Sequence, residues 1–272
     1  MLKPGLRRDT EGNMTARNVR TPAVRFFQNT RPSLEMRRSL ARAAWLVALL
    51  GIVLAARVEF AAAQAAPASE SGVFLIRSGG RNIGSERFQI RKVASGWEAT
   101  AEIQLEVPGG SRVTETCSLR LDANGKPIFY QREQQVPRKG NLTADFRAEG
   151  TMLMSKIEAE TQEQIFLLPE RDLVVLDTNF FHHYALLLRQ YDAARPGPQN
   201  FNVFVPQEAT PSTISLVLLG KETVPSSGTP VALDHFQAST EDIKIEIWAT
   251  EQREIRRIEI PQATLEILRQ TR

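Results

Sequence analysis

The chain holds one cysteine, Cys117, in 272 residues, so no disulfide can form within it. Histidine is nearly as scarce, with His182, His183 and His235 only. A zinc centre needs three or four converging ligands, and general-base chemistry falls most often to histidine. Both chemistries therefore start from a short supply. There is no Gly-x-Ser-x-Gly elbow, no Gly-x-x-x-x-Gly-Lys loop and no Gly-x-Gly-x-x-Gly after a strand. The first would position a nucleophile, and the other two would cradle phosphates. No apolar run reaches the ~20 residues of a membrane-spanning helix. No internal repeat of fixed period is present. A basic body is absent too. Residues 1–65 carry 11 basic and 4 acidic side chains, which leaves 23 basic and 27 acidic for the rest. A mildly acidic body lacks the clustered Lys and Arg that nucleic-acid binding requires.

What is present begins with a leader. Residues 1–35 are polar, basic and aperiodic, and read as a disordered extension, or as sequence upstream of the true start at Met36. Met36-Arg37-Arg38 and Arg42 form a charged start. Ala43 to Ala56 is a fourteen-residue apolar run, and Ala63-Gln64-Ala65 offers a small-x-small cleavage pattern. Residues 36–65 thus have the layout of a secretory signal peptide. The expected destination is the periplasm or the exterior, with cleavage near Ala65. Arg57 and Glu59, between run and cleavage site, keep an uncleaved membrane anchor as the alternative. No cysteine follows the run, which argues against a lipid anchor.

Residues 72–269 read as one β-rich domain. Trp97, Ala99, Ala101, Ile103, Leu105 and Val107 alternate with polar residues, as a half-buried antiparallel strand requires. Some thirteen to fifteen such strands follow at close spacing, with turns at Gly79-Gly80, Pro108-Gly109-Gly110 and Asn124-Gly125. Thr213 to Leu219 is nearly all apolar and is expected to be buried on both faces, and Gly220 to Pro230 is expected to be a loop. Cys117 lies on the alternating strand Arg112–Leu121, as a small core residue with no activating base in its local sequence. The carboxylates lie on solvated strand faces, and no glycosidase-like pair stands out.

One helix is predicted, over Thr178–Tyr191, with Asp177, Thr178 or Asn179 as its cap. Phe180, Phe181, Tyr184, Leu187, Leu188 and Tyr191 fall on one stripe. That stripe either completes the core or walls a cavity suited to an apolar ligand. His182 and His183 would point roughly 100° apart on such a helix. They read as its polar edge, with no metal site and no cofactor expected.

From the helix onward the chain resembles a group of bacterial cell-envelope domains of unknown function. The residues that carry this are Leu176-Asp177, Gly220-Lys221-Glu222-Thr223, the Gly228 loop, Ile243-Lys244-Ile245-Glu246-Ile247-Trp248 and the final strand pair. The resemblance covers about Gly72 to Arg269. It implies a strongly curved antiparallel sheet or open barrel wrapped around one helix, loosely similar to periplasmic lipoprotein carriers, and it supplies no catalytic residues. Two functions are carried forward. One is a non-enzymatic envelope protein binding an apolar or amphipathic ligand between helix and sheet. The other is a structural or assembly factor working through protein contacts. A hydrolase is a distant third. The membrane enters only through an uncleaved N-terminal segment.

Overall fold

The computed structural model describes residues 69–270, apart from 107–108, 137 and 227–228. The expected leader and signal segment lie outside the described residues. Among the described residues fifteen strands form one sheet, and its order follows from two runs in which strands adjacent in sequence pair. The first run is β1 (Ser69–Ser78), β2 (Arg81–Val93), β3 (Gly96–Glu106), β4 (Arg112–Leu121), β5 (Pro127–Val136), β6 (Gly140–Arg147), β7 (Gly150–Ile157) and β8 (Glu160–Phe166). The second is β9 (Leu173–Val175), β10 (Gln199–Val205), β11 (Thr210–Ser226), β12 (Thr229–Ser239), β13 (Lys244–Ala249), β14 (Ile255–Ile260) and β15 (Leu265–Arg269). The single α-helix among the described residues, α1 (His183–Gln190), lies between β9 and β10. The runs meet along one antiparallel seam, β1 against β15, from Phe74↔Arg269 to Ser78↔Leu265. All other pairs are antiparallel except β9 with β10, which is parallel over three residues.

Local chemistry explains the turns. At the β4–β5 turn the Asp122 carboxylate accepts from the N–H groups of Asn124 and Lys126, both at 2.8 Å. Gly125 completes that turn at φ +84°, a conformation open to glycine at little cost. Gly79 and Gly80 both have positive φ, as a two-residue hairpin that follows the strand twist demands.

The sheet is curved but not closed into a barrel. Its two ends approach through side chains: Phe204 on β10 packs against Phe146 on β6 and Phe166 on β8. The main core lies on one face and takes alternate residues from both runs, with α1 laid across them. His183 meets Tyr130 on β5, and Tyr191 meets Phe236 on β12. A second, small cluster of Val224, Leu233 and Trp248 is separate from that core.

Three expectations need correction. The helix begins at His183, not Thr178, because Asn179 takes a left-handed φ of +73° and breaks the helical path. The Thr213–Leu219 stretch is not buried on both faces. Ile214 and Leu216 point into the core, whereas Thr213 and Leu219 are exposed. Nor is 220–230 simply a loop, since β11 runs on to Ser226 and pairs with β12 after a register shift at Gly220, where φ is +135°.

Candidate functional site

Most inward positions of the sheet are apolar, as the alternation predicts. The exceptions converge beneath the start of α1. On β2 the inward residues include Glu86, Phe88 and Ile90. On β4 they include Glu115, Cys117, Leu119 and Leu121, and on β5 Tyr130 and Arg132. Cross-strand register places Phe88, Ala101, Cys117 and Arg132 side by side on β2 to β5. A row of acids, Glu86 and Glu115, lies one step along the same strands, with Ile103 between them.

β9 feeds the remaining groups into this layer. Leu173, Val174 and Val175 are all buried, so Leu176 and Asp177 follow them into the interior. Asp177 does not cap the helix. Its carboxylate accepts the Tyr130 hydroxyl and the Gln207 N–H. Its own N–H donates to His183 Nδ1 at 3.1 Å. The cap comes from β2 instead. The Glu86 carboxylate accepts from the N–H groups of Phe181, at 3.0 Å, and His182, at 3.4 Å, which the first turn leaves unpaired. Glu86 also meets His182 Nδ1 at 2.5 Å. The other nitrogen of that ring, Nε2, lies 4.0 Å from Cys117 Sγ.

His182 and His183 are therefore not a solvated helix edge. Both are 0% exposed, and their ring centroids stand 4.4 Å apart. The wheel that set them 100° apart fails because His182 precedes the helix as its N-cap residue. The imidazole neighbour that the sequence around Cys117 does not show comes from 65 residues away.

Burial governs the electrostatics. It raises the Glu86 carboxyl to about 8, even though two main-chain N–H groups oppose the shift. It lowers His182 to about 3 and pushes His183 well below its usual value, with His182 adding to the latter. The Cys117 thiol is held well above its usual range by burial, then by the nearby Glu86 and Asp177 charges. Asp177 and Tyr130 are raised for the same first reason. Beside them, Arg132 forks onto Glu115, with contacts of 2.5 and 3.1 Å, so that buried pair is mutually satisfied. One atom here is not: His183 Nε2 is buried with no hydrogen-bond partner.

The six residues proposed as a ligand wall all pack with the core. Phe180, Phe181, Leu187, Leu188 and Tyr191 are buried, and Tyr184 is partly so. An open space of about 950 Å³ lies elsewhere. It is a groove across β1 to β4 that passes Gly72, Phe88, Ala101 and Cys117 and reaches Arg256 and Arg269. Sequence reasoning missed Glu86 and Glu115, yet a signal existed. Each occupies the inward parity of an otherwise apolar alternation, where an unpaired carboxylate is costly.

No family model matches the chain, and neither does any curated protein. Among solved structures, a β-barrel-like protein of the domain of unknown function DUF1849 from Brucella abortus aligns with a TM-score of 0.49 and 9% identity, over 74% of this chain and 94% of that one. A DUF1089 family protein from Pseudomonas aeruginosa aligns with a TM-score of 0.41 and 13% identity, over 65% and 90%.

Proposed function

We propose that the protein is an exported, non-enzymatic module of the cell envelope that binds an amphipathic molecule bearing an anionic group. The observation that supports this is the groove across β1 to β4. Its volume falls within the ~300–1,000 Å³ of small-molecule sites. Arg87, Arg256 and Arg269 line it beside Glu102. Arg269 and Arg256 also pair with Glu70 and Glu254, and the guanidinium groups that face the groove favour an anionic head. The proposed site is the open groove rather than the aromatic stripe of α1, whose residues pack with the core.

The test is displacement of a fluorescent fatty acid from the full chain. Thr100→Trp places an indole in the groove, and Arg256→Glu reverses a lining charge on a half-exposed side chain. Both should weaken probe binding while leaving the thermal midpoint nearly unchanged. Failure of the wild type to bind the probe would remove this reading.

One observation favours the assembly-factor reading. β8 is an edge strand, exposed along nearly its whole length, and Ile157, Ile165 and Leu167 stand exposed around it. An open edge with apolar neighbours is a template for an added strand. Under this reading Ile165→Lys should reduce concentration-dependent association in sedimentation velocity and leave probe binding intact.

A further inference from the structure

We propose that Cys117, His182 and His183 form a binding site for one zinc-class divalent ion, buried between β2, β4 and the start of α1. The first observation is convergence: one ligand atom from each residue, a sulfur and two nitrogens, lies within 4.8 Å of the other two. A thiolate and two imidazoles form a ligand set that suits Zn²⁺. The second is the setting of His182. Its Nδ1 faces the Glu86 carboxylate, and its Nε2 faces the Cys117 sulfur. A carboxylate behind a ligating histidine fixes the ring and its tautomer in metal sites generally. The third is the stranded nitrogen. His183 Nε2 is fully buried without a partner, although buried polar atoms are nearly always paired.

The bookkeeping of protons and charge is consistent. Cys117 binds as thiolate and releases its proton. His182 keeps its proton on Nδ1, toward Glu86, and lends Nε2. To lend Nε2, His183 moves its proton from Nε2 to Nδ1. That turns the 3.1 Å contact with the Asp177 N–H into two facing donors, so both must swing to other acceptors and the metal–nitrogen bond has to offset that loss. Burial keeps Glu86 protonated near neutral pH in the metal-free chain, so binding releases its proton as well. The resulting carboxylate and the Cys117 thiolate together balance the two positive charges of the ion. Metal–ligand bonds of ~2.0–2.3 Å require the three groups to close in by roughly 1 Å. Three protein ligands leave a fourth position, which a zinc site can give to water.

This proposal is independent of the amphipathic-ligand reading, and its test uses the metal alone. The full chain is stripped with a chelator and titrated with Zn²⁺, then separately with Co²⁺. One equivalent should bind, with a sulfur-to-cobalt charge-transfer band and a raised thermal midpoint. Cys117→Ser, nearly isosteric and checked by circular dichroism, should abolish the band. Glu86→Gln should weaken binding about 10- to 100-fold while the band persists at saturation, as expected of a group behind a ligand. His235→Ala controls for the other histidine, which meets Glu222 and Glu246, and should change nothing. Absence of stoichiometric binding by the wild type would overturn the proposal. So would retention of the ion by folded Cys117→Ser, or its loss in His235→Ala.

Discussion

Two histidine clusters invite comparison. In the core, His182 sits between a carboxylate and a thiol and is 0% exposed. In the second cluster, His235 sits between Glu222, at 3.0 Å, and Glu246, at 2.9 Å, and stacks on Trp248 while its side chain keeps 19% of its exposure. Both are histidines beside glutamates. The inner cluster is anchored to main chain through the Phe181, His182 and Asp177 N–H groups. The outer one is built of side chains on neighbouring strands, with the Trp248 indole donating to Glu222 and Arg257 lying over the same ring. Burial and main-chain anchoring, rather than residue type, separate a group that sets the fold from one that trims a surface.

The largest expected effect follows from removing the inner anchor. Glu86→Ala leaves two main-chain N–H groups and His182 Nδ1 without their partner, and should cost ~1–3 kcal/mol for each buried group left unpaired, read from urea unfolding. A cost under 1 kcal/mol would put the inner cluster on a par with the outer one. The apolar end of the helix supplies the reference. Leu187 is fully buried, so Leu187→Ala should cost ~2–5 kcal/mol through lost contacts and a cavity. A much smaller loss would return the stripe to its alternative role as the wall of a ligand space.

A pH series of the metal-free chain sharpens the comparison further. Glu86 is raised from 4.5 to about 8, so its share of stability is full below 4.5 and is lost as pH rises toward 8. His182 is lowered from 6.5 to about 3, so its share is full above 6.5 and is lost as pH falls toward 3. His183 acts in the same sense as His182. Asp177, also raised, acts in the same sense as Glu86. Set against these two carboxyls, the two histidine protons keep stability rising toward pH 6.5, where it should peak. Between 6.5 and 8 the Glu86 share alone removes about 2 kcal/mol, from 1.36 kcal/mol per proton and pH unit. Glu86→Gln should flatten that alkaline limb, as read from urea midpoints across pH. The smallest effect belongs to the outer cluster. His235→Ala should change stability by no more than about 1 kcal/mol, because its partly exposed ion pairs are screened. Thermal melts at low and high salt would check this.

Part of this was legible from the chain alone. The Trp97 strand, the Asn124-Gly125 turn and the all-β class follow from period-two alternation and turn chemistry, which are local. The helix was placed correctly but made too long, because its start depends on Glu86, about a hundred residues earlier. The candidate site was missed for the same reason. Nothing near Cys117 announces His182, since cross-strand register and the β9 entry into the core bring them together. The one local sign was a glutamate at an inward parity, and it gains meaning only when the sheet face is known.

The β1–β15 seam has a consequence for how the molecule forms. Every other antiparallel pair joins strands adjacent in sequence, so hairpins in each run can assemble from nearby segments. The seam joins Phe74 to Arg269 and must close a loop of nearly the whole domain before any of its hydrogen bonds forms. Loop-closure entropy grows with the logarithm of length, and non-local pairing slows folding. The two runs should therefore gain protection against amide exchange first. The N–H groups across the seam, including Gln270 to the Val73 carbonyl at 2.8 Å, should be among the last to be protected.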